Sequence, residues 1–188
     1  MNISRGGLAC AVLFVALLVA YANYFQNSFH FDDAHTIVNN AAIQKLSNVP
    51  SFFRDATTFS ALPSNQSYRP LISTLLALAY WLGGGLHPFW FHALIFASFA
   101  ALTLLLAFVI HRLLETVAPS PRNLWIAFAA AATYGLHPAN ADTVNYIIAS
   151  SDLISTLGVV ASFALYFAFP TPRPYFVYVL PAAVAILT

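Results

Sequence analysis

The chain has 188 residues, of which 60% are hydrophobic and only 7% charged, with a net charge of +1. A soluble domain carries about 25% charged residues, so this composition excludes an ordinary soluble globule and defines an integral membrane protein. The near-neutral charge argues against a polyanion partner such as nucleic acid, and the single cysteine, Cys10, excludes an internal disulfide and a cysteine-based metal site.

The apolar segments are long and continuous, so they predict helices rather than the alternating strands of a barrel. The first span is predicted over 8–25, after Arg5 and ending in aromatics, as an interfacial belt does. A rival reading is a signal-peptidase site at Ala20-Tyr21-Ala22. Residues 26–69 form the one substantial polar segment, a partly helical loop holding Asp32, Asp33, Lys45, Arg54, Asp55 and Arg69. Residues 33–46 read as a short helix with Asp32 or Asp33 near its N-terminus, where a carboxylate accepts orphan N–H groups. Asn48-Val49-Pro50 reads as a break, with another short helix starting at Ser51. Asn65-Gln66-Ser67 fits the glycosylation sequon, a common chance match.

Residues 70–82 are apolar but too short to cross comfortably, and predict an interfacial or re-entrant helix before Gly83-Gly84-Gly85. Further spans are predicted over 88–114, 123–136 and 153–169, with a polar connection at 137–151. Pro170-Thr171-Pro172-Arg173-Pro174 reads as a turn before a truncated span at 175–188. The sequence stops within that apolar run, so it is expected to be the N-terminal piece of a longer protein.

Arg5, Arg112, Arg122 and Arg173 fall on one side if the spans alternate. The positive-inside rule makes that side cytoplasmic, N-terminus included. The 26–69 loop and the 137–151 connection then share the outer face, with all five aspartates on or near it.

Three polar groups on that face could carry chemistry. Asp32-Asp33 lies beside the membrane, where ionisable groups cost free energy and mark function. Helix capping is the rival reading. Arg69, with Tyr68 beside it, could bind a phosphate through its fork of donors; simple snorkelling is the alternative. His137, Asp142 and Asp152 form the third group, with helix caps and interfacial polarity as their plain readings.

Phe31-Asp32-Asp33, Tyr68-Arg69-Pro70-Leu71, Gly85-Leu86-His87-Pro88-Phe89-Trp90-Phe91-His92 and His137-Pro138-x-x-x-Asp142-x-Val144 occur in this order, the last continuing to Ser151-Asp152-Leu153. The set resembles the N-terminal membrane region of the transmembrane and tetratricopeptide-repeat O-mannosyltransferases and their bacterial relatives, within the GT-C glycosyltransferases. The resemblance implies an all-α, polytopic GT-C-like bundle spanning 1–188, in a bacterial inner membrane or the endoplasmic reticulum. It implies transfer of a sugar such as mannose from a polyprenyl-phosphate donor to a hydroxyl, on protein Ser/Thr or another acceptor. The family's catalytic acidic residue in the first outer loop maps onto Asp33, with Asp32 as alternative. The family often has Gly-Arg-Asp where this chain has Ser150-Ser151-Asp152, so an arginine at 151 is missing.

Glycosyl transfer needs a general base for the attacking hydroxyl and a cation for the leaving phosphate. Arg69 is the candidate cation. No cofactor is assigned and the aspartates show no metal spacing, although a divalent metal is an alternative holder of the phosphate. The competing functions are a polytopic transporter or channel subunit and a non-catalytic membrane scaffold. Transport carboxylates usually sit near the bilayer midplane, and these spans are almost charge-free inside.

Overall fold

The computed structural model describes residues 5–169 and 174–188. Every regular element in them is helical, with no strand among the described residues. Arg173 and the rest of 170–173 lie outside the described residues. Helix α1 runs Arg5–Ala20, α2 Val49–Phe52, α3 Pro70–Gly83, α4 Pro88–Val117, α5 Asn123–Gly135, α6 Asn140–Asn145, α7 Ser150–Ala168 and α8 Leu180–Ala185.

Helix α4 is the centre of the molecule and packs against α1, α3, α5 and α7. Its start carries Pro88, whose missing N–H costs nothing in a first turn. It buries Phe91, His92, Ile95, Phe96, Phe99, Ala100, Leu102, Thr103 and Ala107, a repeat of three and four that lays one stripe against its neighbours. Two segments, Pro88–Val117 and Ile147–Ala168, are long and apolar enough to cross a membrane; Arg5–Ala20, Pro70–Gly83 and Phe176–Ala185 are shorter apolar helices.

Small residues set the close approaches. A Cβ on Gly135 would meet Leu17 and Thr103 at 2.8 Å, so this glycine lets the end of α5 sit against α1 and α4. Gly84 ends α3 in the left-handed region at φ 63°, and the amides of Gly84 and Gly85 return to the last carbonyls of α3. A side chain rarely adopts that backbone.

Side-chain contacts pin the helix ends. The Tyr21 hydroxyl, just after α1, donates to the Gly135 carbonyl at the end of α5. His92 Nε2, in the second turn of α4, bonds the Asn27 carbonyl. At the opposite end, Arg112 of α4 donates to the Phe167 carbonyl of α7. Helices α1, α4, α5 and α7 thus run alternately up and down. The loop 27–69 caps the end where α1 and α5 finish and α4 and α7 begin.

The loop departs from the helical reading of 33–46. It forms a π-type turn Ala34–Val38, then 3-10 turns Ala41–Gln44 and Leu46–Asn48. The cause is Asn40. Its buried side chain donates to the Thr36, Thr58 and Phe59 carbonyls and accepts from the Ala42 amide. A short amide competing for backbone partners breaks a helix at that point. Asn48-Val49-Pro50 does not break structure either: α2 starts at Val49, with Pro50 in its first turn. The first helix ends at Ala20 rather than Phe25, and a 3-10 turn, Ala22–Gln26, follows it. The connection 137–151 is largely helical, holding α6 and a 3-10 turn Ile147–Ala149.

Candidate functional site on the long loop

The chain enters the site through Phe31, a non-glycine residue at φ 48°. Such a backbone is uncommon and costs about 1–3 kcal/mol unless the surroundings hold it. Here the Phe31 ring packs edge-on against Tyr146, centroids 6.0 Å apart, although Phe31 remains 86% exposed.

The bend separates the two aspartates by environment. Asp32 points outward, its side chain 55% exposed, and its carboxylate lies 3.3 Å from His35 Nε2. Asp33 is only 1% exposed. It holds the N-cap position of the Ala34–Val38 turn but makes no capping bond. Its Oδ2 instead turns back to accept the His30 amide at 3.0 Å, and its Oδ1 is buried without a hydrogen-bond partner. Burial pushes the Asp33 carboxyl above the usual range, against opposing pulls from the His30 and Ile148 amides and the His30 charge. Capping therefore does not explain this pair.

His35 ties the pair to the rest of the loop. Its Nδ1 pairs with Ser60 Oγ at 3.0 Å, its Nε2 approaches Asn65 at 3.2 Å, and its carbonyl accepts the Ala61 amide.

The second side of the site comes from the segment that runs from the end of α6 into the first turn of α7. The Asp32 amide donates to the Tyr146 hydroxyl at 3.2 Å. Burial first, then the neighbouring aspartates, keep the Tyr146 phenol protonated, pushed up to about 12. Arg69, the residue before α3, donates from Nη1 to Ser151 Oγ at 2.9 Å and lies over the Phe59 ring at 5.4 Å. One segment, 146–151, therefore touches Asp32 through Tyr146 and holds Arg69 through Ser151.

The other expected residues are placed as follows. The Tyr68 hydroxyl donates to the Phe53 carbonyl, which ties α3's approach to the loop. Asp142 is exposed in the first turn of α6, and Asp152 is exposed in the first turn of α7, where each carboxylate complements the helix dipole. Asp142 and Arg69 are not among the charges acting on Asp33. His137 lines a separate polar cavity of about 440 Å³. Among the described residues no group of three or more His, Cys, Asp or Glu is arranged to hold a metal ion. Sequence reading missed His35, Asn40 and Tyr146 because each acts through a partner distant in the chain: Tyr146 lies 114 positions from Asp32. Only Phe31 and Ser151 were visible, as neighbours within motifs.

The fold and site define a helical chain with two segments long and apolar enough to cross a membrane, and with Asp32 and Arg69 each bonded to the 146–151 segment at one end of its bundle. It is 28% identical over 158 residues to human protein O-mannosyl-transferase TMTC4, covering 79% of this chain and 21% of that protein. Human protein O-mannosyl-transferase TMTC1 is 27% identical over 162 residues, 84% of this chain and 18% of that protein. Protein O-mannosyl-transferase F38B6.6 of Caenorhabditis elegans is 26% identical over 169 residues, 87% of this chain and 23% of that protein. These relatives bear out the resemblance carried by the ordered motifs. The chain spans about one-fifth of the length of these curated relatives. No family model matches the chain, and no solved structure matches it.

Proposed function

We propose that this chain carries the acid–base site of a multi-pass membrane glycosyltransferase of the GT-C type. The enzyme moves a sugar, mannose by analogy with the named relatives, from a polyprenyl-phosphate donor to a Ser or Thr hydroxyl of a protein. The supporting observation is that Asp32 and Arg69 both bond to the single segment 146–151, with the buried Asp33 next to Asp32.

The roles follow from exposure and charge. A base must reach the acceptor oxygen, within about 3.2 Å or through one water. Asp32 is accessible and Asp33 is not, so Asp32 takes the hydroxyl proton, reversing the order favoured by the motif. The acceptor oxygen bonds to the anomeric carbon as the carbon–oxygen bond to phosphate breaks. The phosphate leaves as an anion and needs little acid assistance. Arg69 spends one N–H on Ser151, and its guanidinium retains donors for that anion. Asp33 holds the turn through the His30 amide and keeps Asp32 facing out.

The N-terminus is assigned to the cytoplasm and the site to the outer face, from the arginine distribution. The test is sugar transfer from a polyprenyl-phosphate donor to a Ser/Thr peptide, with the full-length protein in liposomes. Asp32→Asn keeps the shape and removes the base, so turnover falls about 10²–10⁴-fold. Arg69→Lys keeps the charge but loses the fork, so donor use weakens while insertion is unchanged. Wild-type turnover in Asp32→Asn, Asp33→Asn and the double variant, all normally inserted, would sink this reading.

A further inference from the structure

We propose that the polar cavity between the Ala22–Gln26 turn and the 137–145 segment is the acceptor subsite, and that it takes an extended, uncharged peptide bearing a Ser or Thr hydroxyl. The assignment rests on the glycosyl-transfer reading for its role, but the peptide site itself is tested by binding.

The cavity measures about 440 Å³ and is lined by Asn23, Asn27, His137 and Asn145, with Tyr21 and Tyr24 as its aromatic side. Small-ligand sites fall in the range of about 300–1,000 Å³. No Lys, Arg, Asp or Glu lines it, so a phosphate finds no counter-charge there. Its polar groups offer both halves of an amide's hydrogen bonding. Asn27 Nδ2 donates to Asn145 Oδ1 at 3.1 Å, which leaves Asn27 Oδ1 as an acceptor and Asn145 Nδ2 as a donor. His137 Nδ1 accepts the Ala139 amide, so the proton of the neutral ring sits on Nε2, a second donor. Asn23 is exposed and adds a third amide. A peptide backbone presents one donor and one acceptor per residue, which this lining matches.

Position gives the second argument. Tyr24 lines the cavity, and its buried hydroxyl has no hydrogen-bond partner. Asn145 faces the cavity, Tyr146 meets Asp32, and Ser151 meets Arg69. The segment therefore carries cavity, carboxylate and guanidinium in that order. Displacement at the anomeric carbon needs the attacking hydroxyl and the leaving phosphate on opposite sides. With the phosphate at Arg69, held from Ser151, the acceptor is assigned to the cavity at Asn145, next in sequence to the Tyr146 that holds Asp32.

The experiment places a photoreactive benzoylphenylalanine at Ala141, on the cavity lining, in the full-length protein in nanodiscs. The probes are a biotinylated, uncharged Ser/Thr peptide and a polyprenyl-phosphate-linked sugar. The expected result is capture of the peptide at 141, weakened about tenfold by Asn145→Leu through lost hydrogen bonds. Asn23→Leu gives the same loss, and as an exposed side chain without a hydrogen bond it leaves folding intact. Capture of the lipid-linked sugar in place of the peptide overturns the assignment, as does peptide capture indifferent to both substitutions. Peptide capture without sugar transfer sinks the transferase reading and leaves the peptide site standing; transfer without peptide capture does the reverse.

Discussion

Asn40→Ala is the most direct way to loosen the site without touching its charges. Asn40 is 4% exposed. Its two N–H groups serve the carbonyls of Thr36, Thr58 and Phe59, and its Oδ1 accepts the Ala42 amide. Three independent donor and acceptor functions are lost, each worth about 0.5–1.5 kcal/mol net. The sum is about 3 kcal/mol, before the cost of leaving carbonyls buried and unpaired. At about 1.4 kcal/mol per tenfold, opening of the loop becomes about two orders of magnitude more frequent. Native-state hydrogen exchange of residues 34–62 reads this opening directly. Asn39→Ala is the control: Asn39 is exposed, and a surface change of this kind stays within about 0.5 kcal/mol. A change under about fivefold for Asn40→Ala would show that the loop is held by its apolar residues Ile37, Ile43, Phe52 and Phe59, and not by this amide.

Three further outcomes are expected. A Cβ on Gly158 of α7 would lie 2.5 Å from Ala185 Cβ and 2.7 Å from the Pro181 carbonyl. Gly158→Ala therefore gains about 1 kcal/mol of helix propensity but costs about 1–3 kcal/mol of overpacking against a backbone that cannot yield; thermal unfolding in detergent should show net destabilisation, and a raised melting temperature contradicts the packing. Burial raises the Asp33 pKa above its unfolded value, so the folded loop favours the protonated form. Its stability is greatest below the ordinary Asp range near 4, and falls as pH rises through the folded pKa. Loop exchange corrected for intrinsic rate should show this fall, and Asp33→Asn should flatten it; a fall that persists in Asp33→Asn assigns it to another group. Cysteines at Asn48 and Asn140 should be labelled by an impermeant reagent from one and the same side of the membrane, and labelling from opposite sides refutes the shared face.

Much of the architecture was legible because it follows from local chemistry. Uninterrupted apolar runs gave the helices, Gly83-Gly84-Gly85 gave the end of α3, and prolines marked the starts of α3 and α4. The loop was misread because 33–46 has helical composition, while Asn40 takes its partners from Thr58 and Phe59, 18 and 19 positions on. The site was half legible. Asp32, Asp33 and Arg69 stood out as charges beside apolar runs, but the difference between the aspartates arises only when burial is known. Tyr146 and Ser151 look like ordinary residues until the fold sets them against Asp32 and Arg69. The serine at 151, in the place of the family's frequent arginine, acquires a physical role: it accepts a hydrogen bond from the guanidinium that the chain does have.

Helix length alone does not decide how the chain is threaded. Helices α3 and α5 have 14 and 13 residues, about 21 and 20 Å at 1.5 Å per residue, both short of a hydrocarbon core of about 30 Å. Their ends differ. Helix α5 starts beside the C-terminus of α4, where Asn123 bonds Glu115 and the Ala118 carbonyl, and finishes at Gly135, where Tyr21 reaches it. It therefore joins the two ends of the bundle. Helix α3 starts just after Arg69, which lies beside the first turn of α7. It finishes at Gly83, next to Trp90, and the chain turns within a few residues into the start of α4, where His92 meets Asn27. Both ends of α3 thus lie at the loop end. The amide of Leu71 donates to the Leu187 carbonyl, which brings the last described residues back to the same end. A helix that leaves and returns at one level lies beside the bundle's end, and this is what carries Arg69 to the serine of α7.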